Sequence, residues 1–105
     1  YLYGGTIASI IDCHCVGTSI ANHYARDGRE VGEGPPVWCV TGHLNVSYLK
    51  PIRIDRPVEL RATIRECGDR QTIVECQAVS DGDVAATGEV VAVRVPETWR
   101  SDNED

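Results

Sequence analysis

The stretch Tyr3 to Arg26, Y-G-G-T-I-A-S-I-I-D-C-H-C-V-G-T-S-I-A-N-H-Y-A-R, decides how the rest of the chain is read. Apolar residues at Ile7, Ile10, Ile11, Cys15, Ile20 and Tyr24 return at helical spacing, which predicts one long helix from Gly5 to about Arg26. Its first half is apolar on nearly every side, the pattern of a helix wrapped by other structure. Asp27-Gly28 supplies the stop signal, and the Gly- and Pro-rich segment up to Pro36 is a loop. Within this helix Asp12 stands in a run of Ile, Ala and Cys. A carboxylate buried there without a partner would cost several kcal/mol, so it needs either a hydrogen-bond donor or a chemical role. Burial logic alone leaves both open.

Downstream, Val37 to Leu49 alternates, with Trp38, Val40, Gly42, Leu44, Val46 and Tyr48 on one face and Cys39, Thr41, His43, Asn45 and Ser47 on the other. This predicts a long half-buried strand, ended by Lys50-Pro51. A second strand follows Pro57, with Val58, Leu60, Ala62 and Ile64 inward against Glu59, Arg61, Thr63 and Arg65, and Cys67-Gly68-Asp69 turns the chain. A third strand spans Gln71 to Ser80, Asp81-Gly82 forms a tight hairpin, and a fourth spans Val84 to Val95. One helix before strands joined by hairpin-length turns implies an α+β domain with an antiparallel meander, not a parallel βαβ architecture.

The 105 residues suffice for one core and not for two, so residues 1–96 are read as a single domain and 97–105 as an acidic, flexible tail. No apolar run approaches the roughly 18 residues that cross a bilayer. The net charge of −6 argues against a general nucleic-acid surface, which needs dense Lys and Arg. The five cysteines, Cys13, Cys15, Cys39, Cys67 and Cys76, fit neither a disulfide framework nor a zinc motif, and read as small buried hydrophobes in a reducing cytoplasm. Cys13-His14-Cys15 makes no metal site, because neighbours on a helix point about 100° apart. Neither a metal nor a cofactor is expected.

These features together resemble the hotdog thioesterases, specifically the phenylacetic-acid-pathway type. That family carries His-Gly-Gly at the helix start and an acidic residue nine positions after the His. Here Tyr3-Gly4-Gly5 is followed by Asp12 at that spacing, with Tyr in place of the His. Val40-Thr41-Gly42-His43-Leu44-Asn45-Val46-Ser47-Tyr48-Leu49-Lys50-Pro51 is similar to the family's strand ending in Tyr-x-x-Pro. The resemblance implies a helix wrapped by a curved antiparallel sheet, with a first strand upstream of Tyr1, which would agree with the absence of Met.

It also implies hydrolysis of an acyl-CoA thioester in a site built from both chains of a homodimer at least, and of a homotetramer by expectation. Asp12 would be general base or nucleophile, and Thr41 would place the water or the carboxylate. Backbone N–H groups of Gly4 and Gly5 at the helix start would receive the oxyanion, with the Tyr3 phenol as a further donor. Asn45, Tyr48, Lys50, Arg53, Arg56 and Arg70 are the candidates for the coenzyme A side, although the parity of Tyr48 with Leu44 and Val46 also suits core packing. Two other readings stay open: a non-catalytic acyl-CoA-binding module, and a dehydratase or hydratase, which requires a His paired with an acid. The absence of a G-x-S-x-G elbow disfavours a serine hydrolase.

Overall fold

A computed structural model describes residues 1–96 together with Thr98 and Trp99. Helix α1 spans Gly4–Arg26, and strands β1 (Cys39–Tyr48), β2 (Val58–Cys67), β3 (Gln71–Ser80) and β4 (Asp83–Arg94) follow. They form one antiparallel sheet in the order β1-β4-β3-β2. Element boundaries fall within two residues of the expected ones. The stretch expected as an acidic tail, 97–105, lies outside the described residues apart from Thr98 and Trp99.

Only β2, β3 and β4 form the expected meander. Asp81 and Gly82 both take positive φ, 52° and 82°, as a two-residue hairpin requires, and β3 and β4 pair directly across them. The β1–β2 connection is not a hairpin, because β1 pairs with β4 and residues 49–57 cross from one sheet edge to the other. The crossing is held at its start by the N–H groups of Leu49 and Lys50, which donate to Ala85 O. Its middle is plugged into the core by fully buried Ile52, whose carbonyl accepts from Leu2 N–H at 2.8 Å. β4 therefore has a neighbouring strand on each side.

Ile7, Ile11, Cys15, Ser19 and His23, four residues apart, form the buried stripe of α1. Ile7, Ile11 and Cys15 pack on Val74, Cys76, Ala78, Ala86, Val90 and Ala92 of the sheet. Ser9, Cys13, His14, Gly17 and Ala21 on the other side are exposed. The wrapping that the apolar first half led us to expect is thus one-sided in a single chain, since an open four-stranded sheet covers one helix face. Cys15, Cys39 and Cys76 are buried as expected, whereas Cys13 is exposed on the open helix face and Cys67 is half-buried at the end of β2.

Gly88 sets how closely the helix sits on the sheet. A Cβ there would lie 2.6 Å from Ile11 Cγ2, a separation that forces a shift in the core. Gly88→Ala is expected to cost about 1–3 kcal/mol, lowering Tm by roughly 4–8 °C per kcal/mol in a domain of this size, as thermal unfolding will show.

His23 is the buried histidine of this core, and its Nε2 lies 3.2 Å from Thr72 Oγ1. Burial, then the charges of Arg94 and Arg26, hold its pKa below the ordinary value. The unfolded chain therefore binds a proton first as pH falls. Stability is fully present above the unfolded His pKa of about 6.5 and declines as pH drops towards the lower folded value. Urea unfolding at neutral and mildly acidic pH tests this, and His23→Gln should flatten the dependence.

Candidate active site

Where α1 passes β1, Thr41 Oγ1 donates to Asp12 Oδ1 at 2.6 Å, the length of a hydrogen bond to a charged carboxylate. Asp12 is half-buried and not sealed in the core. The contact depends on a β-bulge. Thr41 pairs with Ala92 and His43 with Val91, leaving Gly42 as the extra residue, and a Cβ on Gly42 would come 2.9 Å from Val93 Cγ2. The bulge corrects the expected strand faces. Cys39 and Thr41 point to the helix before it, and Leu44, Val46 and Tyr48 do so after it, so Thr41 and Tyr48 share the face that strict alternation assigned to opposite sides.

At the other end of β1, Tyr48 Oη donates to Gly4 O at 2.7 Å. Its ring is 52% exposed and lies over Gly4, so it is not core-packed, as its parity had allowed. Helix α1 starts at Gly4 with Tyr3 as its extended N-cap residue, and the Tyr3 side chain makes no capping bond. The first intrahelical bond described runs from Ile7 N–H to Tyr3 O. The N–H groups of Gly4, Gly5 and Thr6 thus have no acceptor within the helix and lie at its positive end. Tyr3 is 83% exposed, its phenol near the helix start but turned to the surface.

Asn45 lies on the sheet face away from the helix, in a shallow polar recess with Ser47, Glu75, Thr87 and Glu89, and does not join Asp12 in one chain. Lys50, Arg53 and Arg56 gather at the Gly4 end and pair with Asp83 at 3.2 Å, Asp55 at 2.9 Å and Asp81 at 3.3 Å respectively. Such exposed pairs are worth about 0–1 kcal/mol and yield easily to a phosphate. Arg70 sits apart, in the β2–β3 turn at the opposite end of the sheet, where its carbonyl accepts from Arg94 N–H. His14 is exposed on the open helix face. Among the described residues no His, Cys, Asp and Glu cluster could hold a metal ion, and no helix is long and apolar enough to cross a membrane.

One long helix packed on a four-stranded antiparallel sheet is the hotdog architecture. Residues 1–87 match the family model described as the Thioesterase superfamily, and the chain belongs to that family. No curated protein matches it. Among solved structures, a Thioesterase superfamily protein from Shewanella loihica PV-4 is 34% identical with a TM-score of 0.70, over 91% of this chain and 69% of its own. A Bacillus halodurans protein with CoA is 24% identical, TM-score 0.65, over 90% of this chain and 56% of its own. A thioesterase complexed with coenzyme A and Zn from Thermus thermophilus is 19% identical, TM-score 0.65, over 96% and 82%. The last two likenesses speak for the fold alone.

Proposed function

We propose that the chain hydrolyses an acyl-CoA thioester to free acid and thiol, in a site completed by a second copy. The observation that carries this reading is the Thr41–Asp12 hydrogen bond at 2.6 Å beside an open sheet edge. Asp12 takes a proton from water or attacks the acyl carbon itself, with Thr41 holding the carboxylate in place. The uncapped N–H groups of Gly4 and Gly5 receive the carbonyl oxygen as it gains charge.

Chain geometry supports the need for two copies. Gly4 and Asp12 are eight residues apart, about 12 Å along a helix. One thioester carbonyl needs its oxyanion donors and its base each within about 3 Å of the reacting atoms, and so cannot be served by both groups of one chain. Edge strand β1 offers the remedy. Trp38, Val40, Leu44 and Tyr48 expose apolar surface along it, and its outer side has no neighbouring strand among the described residues. Antiparallel pairing of two β1 edges around a twofold near mid-strand sets Thr41 of one copy beside residues 46–48 of the other. Asp12 of one subunit then faces the Gly4 end of the other.

The exposed ion pairs of Lys50, Arg53 and Arg56 line that same end and suit the coenzyme A phosphates. A homodimer is the smallest working unit and a homotetramer its expected assembly. Five free thiols support a reducing compartment, the cytoplasm. A screen of short, long and aromatic acyl-CoA thioesters, read by free thiol release, tests the reading, and inactivity against all of them would sink it. The second reading, a non-catalytic acyl-CoA binder, draws on Tyr3, whose side chain caps nothing. It predicts CoA thioester binding without turnover.

A further inference from the structure

Resting on the hydrolase reading, we infer that Tyr48 is a positioning residue. It fixes the direction of the Gly5 N–H group and does not itself touch the acyl group. Two successive glycines have the widest backbone freedom of any pair, so a helix that starts on them needs an outside hold if its first N–H groups are to point in one direction. The usual holds are missing. Tyr3 supplies no side-chain cap, and there is no acidic residue in the first turn.

Two contacts with Tyr48 take their place. The phenol donates to Gly4 O at 2.7 Å, which restrains the peptide plane shared by Gly4 and Gly5, and the Gly5 N–H belongs to that plane. The ring also covers Gly4 so closely that a Cβ there would meet Cζ and Oη at 3.3 Å, so Gly4 is the residue that admits the ring. Tyr48 is itself anchored. It pairs with Ala86 in β4, and the next two N–H groups, of Leu49 and Lys50, both donate to Ala85 O. The hold thus runs from a fully buried stretch of β4, through the end of β1, to the helix start. Leu2 N–H on Ile52 O ties the chain on the other side of Tyr3 to the same crossing segment.

A phenol whose proton is committed to a backbone carbonyl has no donor left for a thioester, which separates this role from substrate binding. Tyr48→Phe keeps the ring over Gly4 and removes the hydrogen bond. The full chain is compared as wild type, Tyr48→Phe and Asp12→Asn, by acyl-CoA hydrolysis and by ¹⁵N relaxation of Gly4 and Gly5. In Tyr48→Phe the order parameter of Gly5 is expected to fall from the rigid value near about 0.85 towards about 0.6. The kcat should fall roughly tenfold or more, less than the 10²–10³ of losing a donor outright, with KM within about twofold of wild type, the mark of an interaction felt in the transition state. The shape of the pH profile should not move.

An unchanged order parameter at Gly5, or a fall in it with unchanged kcat, overturns the inference. So does a raised KM at constant kcat, because that places Tyr48 on the substrate. A wild type inactive on every thioester fails the hydrolase reading and takes this inference with it. An active wild type with an inactive Asp12→Asn and an unaffected Tyr48→Phe fails the inference alone.

Discussion

Asp12→Asn is expected to lower kcat for acyl-CoA hydrolysis by roughly 10²–10⁴-fold, the contribution of a positioned acid–base group, while the protein keeps its fold and its affinity for the thioester. The amide still accepts from Thr41 through its oxygen, so the 2.6 Å contact between helix and strand survives in kind. It can neither take a proton from water nor attack the acyl carbon. Asp12 is half-buried, so neutralising it removes no deep ion pair, and Tm should move little. Steady-state kinetics alongside thermal unfolding separates the outcomes. A stable variant with wild-type turnover removes Asp12 from the chemistry, and a variant that unfolds assigns it a structural task.

The second large effect is restoration. Gly5→Val places a side chain where nothing lies within 4 Å of the new Cβ, so the fold accommodates it while the approach to the helix start is obstructed. Alone, Gly5→Val and Asp12→Asn should each be nearly inactive. Random exchange of subunits between the two makes half the dimers mixed. If Asp12 of one chain serves the glycines of the other, each mixed dimer has one intact site and one carrying both lesions, and about a quarter of the wild-type activity returns. If both groups serve the same chain, every site stays defective and mixing restores nothing. Titrating one variant with the other, after mild denaturation and refolding together, reads the answer directly.

How far the fold could be read in advance depends on how local each signal is. The helix stop at Asp27-Gly28 and the Asp81-Gly82 hairpin rest on a few adjacent residues, and both stand where expected. The inward set Val58, Leu60, Ala62 and Ile64 in β2 also holds, since all four pack against the core. Strand order was less legible. Only the pairing of β1 with β4 reveals that residues 49–57 cross the sheet, and pairing between distant strands leaves no mark on a short window of sequence.

The candidate site divides in the same way. Asp12 stood out as a carboxylate among apolar residues, and its distance from the two glycines was visible as a spacing. That Thr41 reaches Asp12 depends on the Gly42 bulge, and strict alternation had turned Thr41 towards Asn45 and away from Tyr48. The Tyr48 bond to Gly4 joins residues 44 apart and has no local signature at all.

The Gly42 bulge also governs how β1 can be compared with other chains. Thr41 and Tyr48 are separated by an odd interval, and in an unbroken strand an odd interval puts two side chains on opposite faces. The extra residue works as a half-period phase shift between them. One strand can therefore present a hydroxyl to the middle of the helix and a phenol to its start. A related strand with the same two residues at the same interval but no bulge would turn one of them away, however similar it looked in composition. The interval and the bulge together, and not the identities alone, are the features to match.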